Sequence, residues 1–390
     1  MEIEKMGHND HIEDRFDTVD SFVCAECVID NVLAGLVSNN LSSRLCSYCG
    51  TRSELPNSAP FEVIIERIYE SICMYYADAQ DIDIPWDSGW ILPEKEPYDV
   101  LDTVNPGWDD KFTNDILECL GYDKYWVPHS QGDWLLSNSS EVFISSWNAF
   151  TETVLYKTRY LFLSETPDEV DPGRLDYIPV KYVLEAIGNL VKRLNIFKEL
   201  KQGEKLYRVR VAKDGESFSE FKEVSVPPKE GASGGRMNPA GIPYLYVALD
   251  EETAIQEILN QKRPYALAEL MTNKPLKLID LSELPAASSF FEPEKYTERH
   301  EILFLQTFRD EISKPISKDR KEHLAYIPTQ ILSEYFRYRF TVDDERIDGV
   351  IYKSSKSPNG KNIAFFVSEH KHVERIISLS SLCMREVNIA

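Results

Sequence analysis

GGRMNPAGIPYLYVALDEETAIQEIL, residues 234–259, runs through three structural elements and decides how the C-terminal half of the chain is read. Gly234, Gly235, Pro239, Gly241 and Pro243 make its first part a turn-rich loop, where backbone can approach a ligand closely and from which Arg236 projects. PYLYVAL, residues 243–249, is aromatic and branched and reads as a short buried strand carrying Tyr246. The pattern then changes to DEETAIQEIL, with Asp250 as helix N-cap and acidic residues in the first turn. This places Glu257 about two turns into the helix, beside Ile255, Ile258 and Leu259, where it borders the buried side. An arginine, a tyrosine and a glutamate on three successive elements suit a phosphorylated ligand. Taken singly, each has a plainer reading as a loop charge, a core ring and a solvated helix face.

Two outlying segments extend the pattern: LYRVR at residues 206–210, and GVIYKSS at residues 349–355, followed by Asn359-Gly360 and an apolar run over residues 362–367. Strands are expected near residues 205–211, 244–249, 276–280, 349–352 and 363–367, and helices near 252–260, 302–312 and 329–339, giving a mixed sheet with flanking helices. The Gly and Pro content of residues 224–238 suggests a mobile lid.

On these residues the chain resembles the RES domain, named for its arginine, glutamate and serine, over roughly residues 204–390. Tyr207-Arg208 match the family's Tyr-Arg opening, and Gly235-Arg236-Met237-Asn238 match its Gly-Arg-aromatic-Asn loop, with Met237 in the aromatic's place. Tyr246, Glu257 and Ser354, the last in a Tyr-x-Ser context, match its tyrosine strand, glutamate helix and serine. The resemblance implies an enzyme that destroys NAD, often the toxin of a toxin and antitoxin pair, on a fold similar to ADP-ribosyltransferases. It makes Glu257, Arg236, Ser354 and Tyr246 the expected catalytic residues and Arg208, Arg236, Tyr246 and Ser354 the expected NAD-binding residues. Glu257 would stabilise a ribosyl oxocarbenium cation as nicotinamide leaves. Arg208 and Arg236 would converge on the pyrophosphate, assisted by Arg210 or Lys353. Tyr246 would stack on nicotinamide and orient it through its hydroxyl, and Ser354 would position a ribose or the carboxamide. No Gly-x-Ser-x-Gly elbow surrounds Ser354, so a hydrolase triad is not supported. The acceptor, water or phosphate, is open. The alternatives are ADP-ribosyl transfer to a macromolecule and a non-enzymatic NAD-sensing protein.

Cys24-Ala-Glu-Cys27 and Cys46-Ser-Tyr-Cys49, separated by eighteen residues, have the spacing of a four-thiolate structural zinc site. The fragment around them is too small to bury a core of its own, so a metal cross-link has a structural purpose. A redox reading lacks its strand-to-helix context. His8 and His11 belong to an acidic start and are left out of the ligand set. FEVIIERIYESICMYYA, from residue 61, repeats its apolar residues at helical spacing, and further helices are expected near residues 112–120, 145–162 and 180–200, with the acidic segment 165–173 between the last two. All six tryptophans fall between residues 86 and 147, a composition shift that marks a separate module. Its place between knuckle and RES domain is similar to the HEPN/RES-type N-terminal region. Catalytic HEPN ribonucleases carry a closely spaced arginine and histidine. Here His129 is the sole histidine of residues 61–201, with no arginine near it, so a regulatory, oligomerising or sensing role is expected.

The expected fold class is α+β: a zinc knuckle with a flexible start over residues 1–55, a mostly helical domain over 56–203, and a mixed α/β RES domain over 204–390. A net charge of -22 disfavours nucleic acid and anionic membranes, and few basic residues lie near the knuckle. No run is apolar enough for a membrane span and the start has no signal-peptide pattern. Cys73, Cys119 and Cys383 read as scattered reduced thiols, which suits a cytoplasmic protein. The expected partners are NAD, a separately encoded antitoxin or regulator, and a second copy of the chain.

Overall fold

The computed structural model describes residues 19–81, 94–104, 107–128, 139–164, 178–213, 215–258, 263–314 and 322–386. His8, His11, Trp86, Trp90, His129, Trp134 and residues 165–173 lie outside them. The chain divides into two compact units, Met1–Ser139 with Ala287–His300, and Ser140–Ala286 with Glu301–Ala390.

In the first unit β1 (Phe22–Cys24) pairs antiparallel with β2 (Ser58–Pro60), and β3 (Tyr76–Asp78) with β4 (Trp126–Pro128). Helices Asn31–Asn39 and Asp110–Leu120 start at aspartate caps: Asp30 accepts from the Val32 and Leu33 amides at 2.8 and 3.2 Å, and Asp109 from the Lys111 amide at 2.9 Å. Helix Phe61–Cys73 buries Phe61, Ile64, Ile65, Ile68 and Ile72 completely. These pack with Val23, Leu33, Val37, Phe112, Ile116 and Leu120 in one core. The cysteine-bearing segment and the helices after it therefore share their apolar burial. Ala287–His300 adds Phe290, stacked 4.3 Å from Tyr75, and Phe291, stacked 5.8 Å from Trp108.

The second unit is built on β5 (Phe197–Leu200), β6 (Lys205–Val211), β7 (Leu245–Ala248), β8 (Tyr265–Thr272), β9 (Leu276–Asp280), β10 (Gly349–Lys353), β11 (Lys361–Phe365) and β12 (Ile377–Arg385). They form one mixed sheet in the order β12-β8-β6-β7-β11-β10-β9-β5, in which β9 and β10 run parallel and the other neighbours antiparallel. Alternation divides its strands between two cores. Val350, Tyr352, Ile279 and Ala364 face helices Val183–Arg193, Tyr296–Ser313 and Ile327–Tyr338, while Ile351, Leu278, Ile363 and Phe365 face the opposite core with Leu206, Leu245 and Val373.

The α+β class expected from the sequence is observed. The helix expected over residues 180–200 ends at Arg193, because Asn195 takes a left-handed conformation, φ 51°, that turns the chain back into β5. The three described tryptophans divide between the two cores. Trp108 and Trp126 lie in the first unit's core, whereas Trp147 packs 5.2 Å from Phe150 and 4.9 Å from Phe308 in the second. Among the described residues no helix is long and apolar enough to cross a membrane.

Candidate active site and metal centre

The sheet opens between β6 and β7. β6 pairs with β8 over seven residues and β7 with β11 over four, yet β6 and β7 share only the Tyr207↔Ala248 pair. Backbone groups left without a ladder partner need another one. Arg208 supplies it: its Nη1 donates to the Tyr246 carbonyl, its Nε to the Val224 carbonyl at 2.6 Å and its Nη2 to the Ser225 carbonyl at 3.2 Å. Burial, with Arg210 beside it, pulls the Arg208 pKa down to about 10. Among the described residues three of its five N–H groups find acceptors and two do not.

Directly opposed residues of antiparallel strands project to the same side. Tyr207 opposes Ala248, Ala248 opposes Asn362, and Asn362 opposes Tyr352, so these four form a row across β6, β7, β11 and β10. They line a cavity of about 200 Å³ together with Arg208, Tyr246, Glu257 and Ile258. Ala248, with one methyl group between two tyrosines and an asparagine, leaves the space.

Glu257 comes from the element above. Asp250 caps helix Glu251–Gln256, accepting from the Thr253 amide and hydroxyl, each at 2.7 Å. The helix is shorter than the sequence pattern suggests, so Glu257 stands at its C-cap rather than within it. Its Oε1 accepts from Ser354 Oγ at 2.7 Å and from Asn362 Nδ2 at 2.8 Å. Lys356 Nζ donates to the Glu257 carbonyl and stands 3.9 Å from Oε2. Ser354 accepts from the Lys356 and Ser357 amides, each at 3.1 Å. Ser354 Oγ thus donates one hydrogen bond, to Glu257, and accepts two from its own turn. Gly360 lets this turn seat against the helix, since a Cβ there would lie 2.4 Å from Thr253 Oγ1.

The Gly-Arg loop is held just as closely. Tyr246 donates its hydroxyl to Asn238 Oδ1 at 2.7 Å and accepts from the Met237 amide at 3.1 Å. Burial raises its pKa. Asn238 donates to the carbonyls of Ser233, Pro239 and Ile242. Helix Ile327–Tyr338 clamps the loop through Gln330 to the Gly235 carbonyl at 2.7 Å and Thr329 to the Arg236 carbonyl at 2.6 Å. A Cβ on Gly235 would lie 2.7 Å from Asn238 Oδ1 and 3.0 Å from the Tyr246 hydroxyl, so only glycine fits. Met237, in the aromatic's place, is buried in the core.

Arg236 donates to the carbonyls of Ile312 and Lys314 at the end of helix Tyr296–Ser313, with its guanidinium 5.4 Å from the Tyr326 ring centre. It does not line the cavity, and Arg210 donates to the Glu223 carbonyl. The convergence of Arg208 and Arg236 expected from the sequence is therefore absent, because Arg236 is turned to the Ile312 and Lys314 carbonyls while Arg208 lines the cavity. Residues 224–238, expected as a lid, are tied at one end by Arg208 and at the other by Gln330 and Thr329. Sequence reasoning missed Asn362, Tyr352 and Lys356. Asn362, 7% exposed, was legible only as a polar residue opening an apolar strand.

In the first unit the Sγ atoms of Cys24, Cys27, Cys46 and Cys49 all lie within 4.8 Å of one another. Cys24–Cys27, Cys24–Cys49 and Cys27–Cys46 are 3.6, 3.7 and 3.8 Å apart. Zn–S bonds of about 2.3 Å in a tetrahedron require sulfur atoms about 3.8 Å apart, so the donor set fits zinc. Burial pushes the Cys24 and Cys27 thiols up, which a bound cation would offset, while the Thr51 hydroxyl holds Cys49 at about 6. Tyr48, between the last two cysteines, donates to Asp115 at 2.8 Å and packs 4.9 Å from Phe112.

Comparison with known proteins gives two family matches: HEPN/RES N-terminal domain 1 over residues 39–168, and the RES domain over residues 205–384. No curated protein matches the chain. Among solved structures it is similar to a chain from the crystal structure of the M.tuberculosis MbcT-MbcA toxin-antitoxin complex, at 13% identity and a TM-score of 0.28, over 51% of this chain and 92% of that one. The chain therefore carries a HEPN/RES N-terminal domain 1 match followed by a RES domain match.

Proposed function

We propose that this protein cleaves the nicotinamide–ribose bond of NAD, as a glycohydrolase or a phosphorylase. The observation that carries the reading is the Glu257 carboxylate, fixed through one oxygen by Ser354 and Asn362 at a cavity flanked by Tyr207 and Tyr352. The C–N bond breaks with its electron pair leaving on neutral nicotinamide, and the ribose becomes an oxocarbenium cation that Glu257 stabilises from hydrogen-bond or ion-pair distance. Water then adds and loses a proton to give ADP-ribose, or inorganic phosphate adds to give the ribosyl phosphate. Tyrosine rings along the cavity suit the flat nicotinamide. The two uncommitted N–H groups of Arg208 suit a phosphate oxygen. Tyr246 and Arg236 support the site by holding the Gly-Arg loop against helix Ile327–Tyr338 and the end of helix Tyr296–Ser313.

The remaining parts follow from the RES resemblance and the metal geometry. Cys24, Cys27, Cys46 and Cys49 hold a structural Zn2+, NAD loss arrests growth as a toxin or defence effect in the cytoplasm, and a separately encoded antitoxin or regulator restrains it. The test is incubation of the purified full chain with NAD, with and without phosphate, and mass spectrometry of the products beside Glu257→Ala. Nicotinamide released by the native protein alone supports the reading, and the co-product identifies the acceptor. Label transferred to protein would favour ADP-ribosyl transfer instead. Intact NAD in every arm would refute cleavage.

A further inference from the structure

We infer that Asn362 is a positioning residue that selects which oxygen of Glu257 meets the substrate, an inference that rests on the NAD-cleaving reading. Both strong donors at this carboxylate, Ser354 Oγ at 2.7 Å and Asn362 Nδ2 at 2.8 Å, reach Oε1. That leaves Oε2 for the ribose. The two donors come from different places: Ser354 from the turn after β10, Asn362 from within β11. Ser354 is itself held by two backbone amides of its turn, so it follows that turn. Asn362 is 7% exposed and is flanked in register by Ala248 on one side and Tyr352 on the other, so its amide is set by the sheet. It is the rigid member of the pair, tying the C-cap of a one-and-a-half-turn helix to the sheet floor beneath the cavity.

Among the described residues, the charged and titratable groups beside this carboxylate or lining its cavity are Lys356 from the turn after β10, Tyr352 from β10 itself, Tyr246 from β7, and Tyr207 and Arg208 from β6. Lys356 lies 3.9 Å from Oε2 and bonds the Glu257 carbonyl, so it cannot replace a donor to Oε1. A carboxylate that loses one of two short donors keeps its charge but gains rotational freedom, which lowers the fraction of time it spends in the productive geometry.

The experiment compares native full chain with Asn362→Ala and Asn362→Asp in NAD cleavage across pH. Asn362→Ala should lower kcat about tenfold to a hundredfold, with KM changed less than about threefold. Asn362→Asp is isosteric and separates positioning from folding. At low pH the introduced carboxyl keeps its proton and donates to Oε1, and activity approaches the native level. As pH rises both carboxyls ionise and repel, so activity falls where the native profile does not. A kcat within twofold of native for Asn362→Ala, or a native pH profile for Asn362→Asp, overturns the inference. If the native protein leaves NAD intact, cleavage itself is refuted, and the role of Asn362 is then read without turnover. With asparagine labelled by 15N, its side-chain amide signals should move on Glu257→Gln, and unmoved signals would overturn it.

Discussion

The cysteine knuckle collects its four donors from residues 24–49, whereas the cleft collects Tyr207, Glu257, Tyr352, Ser354 and Asn362 from five separate elements between residues 207 and 362. In the knuckle, short spacing does the positioning: two Cys-x-x-Cys turns bring their sulfurs to 3.6 Å within one pair and 3.8 Å between the pairs. In the cleft, cross-strand register does it, and one broken ladder between β6 and β7 creates the space. The difference teaches where each site is vulnerable. A local site fails when a ligand is lost, and a register-built site fails when a neighbour shifts.

The largest expected effect follows from removing the metal. Elemental analysis should return one zinc per chain, and chelation or Cys46→Ser should withdraw about 10 kcal/mol of binding free energy. Because the knuckle shares its core with helices Asn31–Asn39 and Phe61–Cys73, thermal melts of the first unit should collapse with it. An unchanged melt after complete chelation would break the comparison from the knuckle side. From the cleft side, Glu257→Gln keeps the shape and removes the charge, and should reduce nicotinamide release at least about a hundredfold at unchanged melting temperature. A smaller loss would mean that another group stabilises the cation.

Smaller effects sharpen the contrast between local and register-built support. Gly235→Ala inserts a methyl group 2.7 Å from Asn238 Oδ1 and 3.0 Å from the Tyr246 hydroxyl, and should destabilise the second unit by about 1–3 kcal/mol in urea unfolding. If it is neutral, the loop has more freedom than its hydrogen bonds indicate. Tyr48→Phe removes the hydroxyl that bonds Asp115 and should cost about 1 kcal/mol, leaving the zinc content at one per chain. Zinc loss in that variant would mean that the helical core, and not spacing alone, sets the knuckle's geometry.

Much of the fold was readable because local signals agreed with burial. Asp250 caps its helix as expected, and the strands at residues 205–211 and 276–280 stand where the alternation put them. The misses share one cause. YALAELMT, now β8, is rich in helix formers and nearly all buried, so it shows no period of two. It is a strand because β6 and β12 flank it. The boundary expected between residues 203 and 204 lies one residue before the RES family match at 205–384, while the division by compactness falls earlier, at Ser139. Helices Ser139–Glu152 and Val183–Arg193 bury their apolar faces with the second unit's core, which no local signal announces.

By itself the sequence determined the residue types and their order: four cysteines at metal spacing, and an arginine, tyrosine, glutamate and serine in the family's succession. These are legible because a cap, a knuckle and a motif are short-range, and short-range geometry follows from covalent spacing. Only the tertiary structure decided what the polar groups are committed to. Arg208 and Arg236 are taken up by backbone carbonyls, the Tyr246 hydroxyl holds the loop, and Asn362, unmarked in the sequence, holds Glu257. The physical reason is that a buried donor must find an acceptor, and which acceptor is within 3 Å is a property of strand register and packing.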